Sequence, residues 1–265
     1  MSTDIKPIYM LSDSQLLFWQ EKGSLFLKKV KAHLPTSAKA AYIGASNGDV
    51  DDYFQIFQTA MDSIDVKKCR MIKTPPTPDD QDFLNQADLI LLSGGDVKKG
   101  WDLFKTHKMR DTIIRRYGEG AVLIGTSAGA IQLGKAAWPG HEPEYSALFR
   151  TFGLVPIMVS VREEPHWDNL KRAVPMWGDA TQGIGIPAGG GLIYYPDHTL
   201  EAIRHPAFEV WYKDEAIKEA TLFPGDDAII HEKSMNKFNV QIAGKDPDAS
   251  FTLENPEILD KYMIN

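Results

Sequence analysis

The chain has 265 residues but one cysteine, Cys69, so an intramolecular disulfide is excluded, and no Cys/His spacing of the zinc-site type is present. Cys69 reads as a small hydrophobe. Long apolar runs are also missing: no window approaches eighteen uninterrupted apolar residues, the length at which a membrane helix becomes credible. The run from Pro7 to Trp19 contains Asp13 and lacks a basic segment before it, so a signal peptide is not expected either. Basic residues are outnumbered, 29 against 36 acidic, and the net charge of -7 disfavours nucleic acid, whose phosphates need a basic face. These absences predict a cytoplasmic protein whose partner is a small molecule or peptide, with neither nucleic acid nor membrane bound. A homodimer is left open.

What is present is a balance of 43% apolar and 25% charged residues, which excludes disorder, collagen and coiled coil and can bury a sizeable core. Short β-rich runs alternate with amphipathic ones through the first half. Strands are predicted at Ile8 to Leu11, Ala41 to Ile43, Cys69 to Ile72, Leu89 to Leu92 and Val122 to Ile124. Helices are predicted at Leu25 to His33, Asp52 to Ile64, Asp79 to Gln86 and Trp101 to Tyr117, the last broken near His107. The fold class is α/β: a doubly wound, mostly parallel sheet with helices on both faces and added C-terminal β-strands. In such sheets ligands bind beyond the carboxyl ends of the strands, here the loops after Ile43, Leu92 and Ile124.

After Trp138 the texture changes to short β-like runs: Leu154 to Val161, Gly183 to Ile186, Leu192 to Tyr195, Leu200 to Ile203 and Glu209 to Tyr212. They are expected to extend the same sheet. Phe223 to Phe251 reads as a terminal hairpin or a partly ordered tail. The expected organisation is one α/β domain with its core at about residues 7–205 and a β extension over 206–265.

Three loops could carry chemistry. In Ala121 to Ala130, AVLIGTSAGA, an apolar strand runs into Ser127 flanked by small residues, as a nucleophile elbow requires. The N–H of Ala128 could then stabilise an oxyanion. A glycine-containing turn with a capping serine fits this stretch equally well. In Leu89 to Asp96, LILLSGGD, Gly94 or Gly95 could supply a second oxyanion donor, although paired glycines also simply end strands. The loop Gly44 to Asp49 reads as well as a plain helix cap. A serine nucleophile needs a base. His33, His107 and His231 sit among charges, whereas His166, between Pro165 and Trp167 at a strand end, stands where a base would reach Ser127.

Together, GTSAGA at Gly125 to Ala130, SGGD at Ser93 to Asp96, PHW at Pro165 to Trp167 and GIGIPAGGGL at Gly183 to Leu192 resemble the peptidase E and cyanophycinase family of serine peptidases, whose sheet is similar to that of class I glutamine amidotransferases. The resemblance implies a Ser127 nucleophile, a His166 base, an oxyanion hole from Ala128 and Gly94 or Gly95, hydrolysis of small aspartyl or β-aspartyl peptides, and no metal or organic cofactor. One position departs from the pattern: Ala188 stands where the family has its triad glutamate. Asp96 and Glu164 are the candidate substitute acids, with Glu163 and Asp168 also near His166. Arg162 and Arg172 are the candidate substrate cations. The tracts around Trp138, His141 and Trp177 could wall the cleft, though ordinary packing explains them too. A catalytically silent binding protein that keeps the cleft is the alternative that Ala188 favours. An amidotransferase-like or esterase activity is a second alternative, disfavoured for the glutaminase form because no cysteine sits at the elbow.

Overall fold

The computed structural model describes residues 4–140, 142–225, 227–229, 238–241 and 250–253. The chain opens with β1 (Ile8–Leu11), a 3-10 turn (Ser14–Leu17) and the short pair β2 (Gln20–Glu21) and β3 (Ser24–Leu25). Helices and strands then alternate as α1 (Leu27–Lys31), β4 (Lys39–Ile43), α2 (Asp51–Asp62), β5 (Lys68–Ile72), α3 (Pro78–Leu84) and β6 (Leu89–Leu92). Next come α4 (Val97–Thr106), α5 (Met109–Gly118), β7 (Val122–Thr126) and α6 (Ala128–Leu133). The later part comprises β8 (Ala136–Ala137), β9 (Phe149–Arg150), β10 (Met158–Val161), α7 (Asp168–Trp177), β11 (Thr181–Ile186), β12 (Gly191–Tyr194) and β13 (Thr199–Ile203). It ends with β14 (Ala207–Lys213), β15 (Ala216–Leu222), β16 (Asp227–Ile229) and the hairpin β17 (Phe238–Gln241) and β18 (Ser250–Leu253).

The main sheet has the order β16-β13-β12-β1-β7-β6-β4-β5. The five strands from β1 to β5 in that order are parallel, and β12, β13 and β16 add to the β1 edge antiparallel. Strand alternation decides which side chains meet which helices. Along β1, Ile8 and Met10 join Trp101, Phe104, Ile113 and Leu133 of α4, α5 and α6, whereas Tyr9 and Leu11 join Leu27, Val30, Phe57 and Met61 of α1 and α2. Helices therefore cover both faces, and each fully buried Leu, Ile or Phe contributes about 1.5–3 kcal/mol of burial. The expected break near His107 is found: α4 ends at Thr106, and Lys108 takes φ +56 before α5 begins.

The later strands correct the expectation that they all extend one sheet. Among the described residues only β12, β13 and β16 do so; β10, β11, β14 and β15 form a separate four-stranded sheet. One face of that sheet carries α7, through Leu170 and Val174 against Val210, and Ile184, Ile186 and Leu222 merge into the core beneath α4 and α5. Helix α7 was not expected, and Pro175 lies inside it.

The switch of direction in the main sheet positions the site. From β4 the chain passes outward to β5, then returns to the opposite side of β4 for β6. The loops after β4 and β6 consequently diverge and leave a crevice at their carboxyl ends.

Candidate active site

Ser127 bridges β7 and α6 with φ +50 and ψ -112, a conformation sparsely populated by any residue with a side chain. Its N–H donates to the Leu11 carbonyl at 2.8 Å, which fixes the turn to β1. Glycine on either side is a packing necessity. A Cβ on Gly125 would lie 2.5 Å from Gly129 C, and one on Gly129 would lie 2.1 Å from Leu92 O. Ala128 is buried and opens α6, so its N–H belongs to the first turn, which lacks intrahelical acceptors. Gly94 runs beside Ser127: a Cβ there would meet Ser127 Cβ at 3.1 Å. Gly95 has φ +134, and its hypothetical Cβ would overlap Ser46 O at 2.2 Å.

The loops after β4 and β6 are tied from below. Gln132 on α6 is fully buried, and its Nε2 donates to Ser46 Oγ at 3.1 Å and to Val97 O at 2.9 Å. The Gly44 to Asp49 loop is not the plain cap that its composition allowed, because the cap of α2 is Val50 without a side-chain bond. Instead Asn47 turns inward, and its Nδ2 donates to Tyr42 Oη at 3.0 Å and Ser93 Oγ at 3.2 Å. Burial pushes the Tyr42 phenol up, which keeps it protonated.

These loops enclose a cavity of about 240 Å³. Ser127, Gly94, Ser93 and Asn47 line it together with Asp13 and Arg162. Arg162 follows β10 with φ +56, its N–H donates to Ile186 O at 2.9 Å, and its Nη2 donates to Ser127 Oγ at 2.9 Å. Of the sequence-derived candidates, Arg162 is therefore the one brought into hydrogen-bond contact with Ser127 Oγ. Asp13 accepts from Gln15 N at 2.9 Å and from Gly189 N at 2.8 Å, linking the end of β1 to the loop that carries Ala188.

The other candidates are placed as follows. His166 is exposed in the turn between β10 and α7, four residues beyond Arg162. Glu164 Oε1 accepts from Ala188 N at 3.0 Å. Glu163 accepts from Ser160 Oγ at 2.8 Å and from the Asn169 N–H, which engages it with the start of α7. Asp168 is exposed in the first turn of α7, 3.8 Å from Lys171 Nζ. Asp96 caps α4, accepting from Lys99 N at 2.8 Å. Arg172 pairs with Glu142 at 3.1 Å on the surface. Trp138 and Trp177 pack against the core under α7, and Trp167 stacks on Phe208 with centroids 5.9 Å apart. His141 and His231 lie outside the described residues.

The sequence reading missed Asp13 and Tyr42, and it included Asn47 only as part of a candidate loop. The available signals were Asp13 two residues before Gln15, a capping arrangement at a strand end, and a small-residue loop around Asn47 at the switch point.

The family model for Peptidase family S51 matches residues 9–186. Among solved structures, a peptidase from an acI-B1 Actinobacterium is 16% identical with a TM-score of 0.64, over 86% of this chain and 98% of that one. A peptidase E protein from Listeria monocytogenes EGD-e is 13% identical with a TM-score of 0.54, over 76% of this chain and 99% of that one. At these identities the likeness is one of fold. None of the curated proteins matches the chain.

Proposed function

The chain belongs to peptidase family S51, and from that premise we propose that it is a serine hydrolase that cleaves small aspartyl or β-aspartyl peptides through Ser127 and His166. The observation that carries this reading is the strained Ser127 turn with the Arg162 guanidinium 2.9 Å from its Oγ. A guanidinium beside a nucleophile suits a substrate with a carboxylate near the scissile carbonyl, since the planar fork can bind it through two N–H donors. In the resting protein that fork rests on Ser127. The substrate carboxylate draws it away, and the imidazole of His166, on the same β10–α7 connection, takes its place at Oγ.

The chemistry is acyl transfer. Ser127 Oγ attacks the carbonyl carbon as His166 accepts its proton, and the oxyanion is held by the N–H groups of Ala128 and of Gly94 or Gly95. The imidazolium returns the proton to the leaving amine. Water then attacks the ester, His166 again accepting and returning a proton, to release the acid and free Ser127. This reading assigns the orienting of His166 to Glu164. It is bonded to the backbone of Ala188, the residue standing where the resemblance expects the triad glutamate, whereas Asp96 is engaged as a helix cap.

The second reading, a binding protein without turnover, is favoured by the exposure of His166 and by the Arg162 bond that occupies Ser127 Oγ. The test is intact-mass analysis after a fluorophosphonate probe, with Ser127→Ala as control, followed by turnover assays on aspartyl dipeptides. Labelling confined to Ser127 with release of aspartate supports hydrolysis. Unlabelled, well-folded protein that aspartyl peptides stabilise without being cleaved supports binding.

A cytoplasmic setting fits this reading. Among the described residues no helix is long and apolar enough to cross a membrane, and burial pushes the Cys69 thiol up to about 11, so it is unreactive at neutral pH.

A further inference from the structure

At about 240 Å³ the cavity beside Ser127 is larger than an aspartyl group needs, and Leu17, Ile56, Phe57 and Leu91 are among its lining residues. A continuous chain of contacts leads there from the nucleophile. Gly94 lies against Ser127, Ser93 precedes it, Asn47 joins Ser93 to Tyr42 at 3.2 and 3.0 Å, and the Tyr42 ring packs on Phe57 with centroids 5.6 Å apart. Leu17, Ile56, Leu91 and Tyr53 line the same cavity, and Tyr53 is 53% exposed. Tyr53 and Ile56 are the apolar lining residues that expose surface, and they rest on Leu17, Tyr42, Phe57 and Leu91, each no more than 2% exposed.

We propose that this apolar lining forms a subsite for the side chain of the residue on the leaving-amine side of the scissile bond, and that it selects aromatic and large aliphatic groups. The inference rests on the hydrolase reading for its orientation. Arg162 and Ser127 both line the cavity, so an aspartyl carboxylate held by that guanidinium takes up the part that Arg162 lines, on the acyl side. What remains can be filled only from across the bond. The size fits, because about 150 Å³ lined by Leu, Ile and Phe accommodates a benzene ring, and about 240 Å³ leaves room for the aspartyl group beside it. The charge fits as well: Asp13 on the cavity wall opposes a second acidic residue.

The test is isothermal titration of the Ser127→Ala protein with the dipeptides Asp-Phe, Asp-Leu, Asp-Ala, Asp-Glu and Asp-Lys, so that binding is read without turnover. Burial of the larger side chains should make Asp-Phe and Asp-Leu bind about ten- to a hundredfold more tightly than Asp-Ala. Adding Ile56→Asn should collapse that ratio to within about threefold, and Tyr53→Ala, at the exposed lining residue, reports the same if the first variant does not fold. Equal affinities within twofold, tightest binding of Asp-Lys, or no binding of any dipeptide overturns the proposal. The two readings fail separately. Apolar preference in binding with no hydrolysis by the unmodified protein removes the hydrolase reading alone, and hydrolysis with no such preference removes the subsite alone.

Discussion

Replacing Ser127 by glycine should give a more stable fold than replacing it by alanine, while removing the proposed nucleophile. At φ +50 and ψ -112 a residue with a Cβ bears strain of about 1–3 kcal/mol, whereas glycine adopts this region without penalty. Two effects oppose the gain. Glycine adds about 0.4–1 kcal/mol of unfolded-chain freedom, and loss of a half-buried methyl relative to alanine costs about 0.4 kcal/mol. Relative to Ser127→Ala, which retains the strain and equally lacks the Arg162 bond, Ser127→Gly should therefore be more stable by about 1 kcal/mol. For a protein of this size that is a rise in Tm of about 2–4 °C. Guanidinium unfolding of both variants at neutral pH measures the difference, with equal m-values as the check that the unfolded states match. A glycine variant equal to or less stable than the alanine variant would refute the claim that the elbow stores strain.

Three further outcomes follow from the same geometry. Arg162→Ala should lower kcat/KM for an acidic dipeptide by about a hundredfold, and Arg162→Lys should restore only part of it because a single ammonium cannot reproduce the fork, as steady-state kinetics on the two variants would show. At Glu209, burial pushes the carboxyl up, with the neighbouring Gln182 amide opposing, and Oε1 has no hydrogen-bond partner among the described residues. A raised folded value means that its contribution is intact below the unfolded carboxyl range and is lost as pH rises through the folded value, so Glu209→Gln should add about 1 kcal/mol at pH 8 and nothing near pH 4 in parallel melts. Asp80 behaves oppositely: burial would raise it, but Arg70 Nε at 2.6 Å and the Thr77 cap outweigh that and hold it below the usual range. Its contribution is present above the unfolded carboxyl value and lost as pH falls through the folded one, so Asp80→Asn should cost about 1–2 kcal/mol at pH 7, discounted for the half-exposed Arg70, with the gap closing below about pH 4.

The parallel strands were legible because burial on both faces demands unbroken apolar runs, as in Leu89 to Leu92, where all four side chains are buried. The Ser127 turn was legible for a steric reason, since Gly125 and Gly129 are forced by backbone contacts under 3 Å. Sheet membership was not legible. Gly183 to Ile186 and Leu192 to Tyr195 have the same texture, yet β11 pairs with β10 and β14 while β12 pairs with β1 and β13, a choice made by partners distant in sequence. Helix α7 escaped because Pro175 and the flanking Pro165 and Gly178 read as breakers, whereas its stability comes from Leu170 and Val174 packing on Gly183 and Val210. At the site, Arg162 was a candidate only through its nearness to His166. Its real placement depends on a left-handed backbone and a bond to Ile186 O that no local pattern announces.

The loop around Ala188 draws its carboxylates from other segments of the chain. Ala188 brings no carboxylate, yet its N–H donates to Glu164 Oε1 at 3.0 Å and the next N–H, on Gly189, donates to Asp13 Oδ2 at 2.8 Å. Two acids from two other segments therefore converge on the loop from which the resemblance expects one. If Glu164 has taken over the orienting role, putting an acid back at position 188 should not help, because a third carboxylate beside Glu164 and Asp13 raises the cost of ionising all of them. Ala188→Glu alone should leave dipeptide turnover unchanged or lower it. Glu164→Ala should reduce kcat by about a hundredfold or more, since a base without its acid loses both its tautomer and the partner of its charge. The double variant Ala188→Glu/Glu164→Ala should recover much of that loss. Kinetics on the three variants distinguish the cases, and a rise in kcat from Ala188→Glu alone would show that Glu164 serves the loop and not the imidazole.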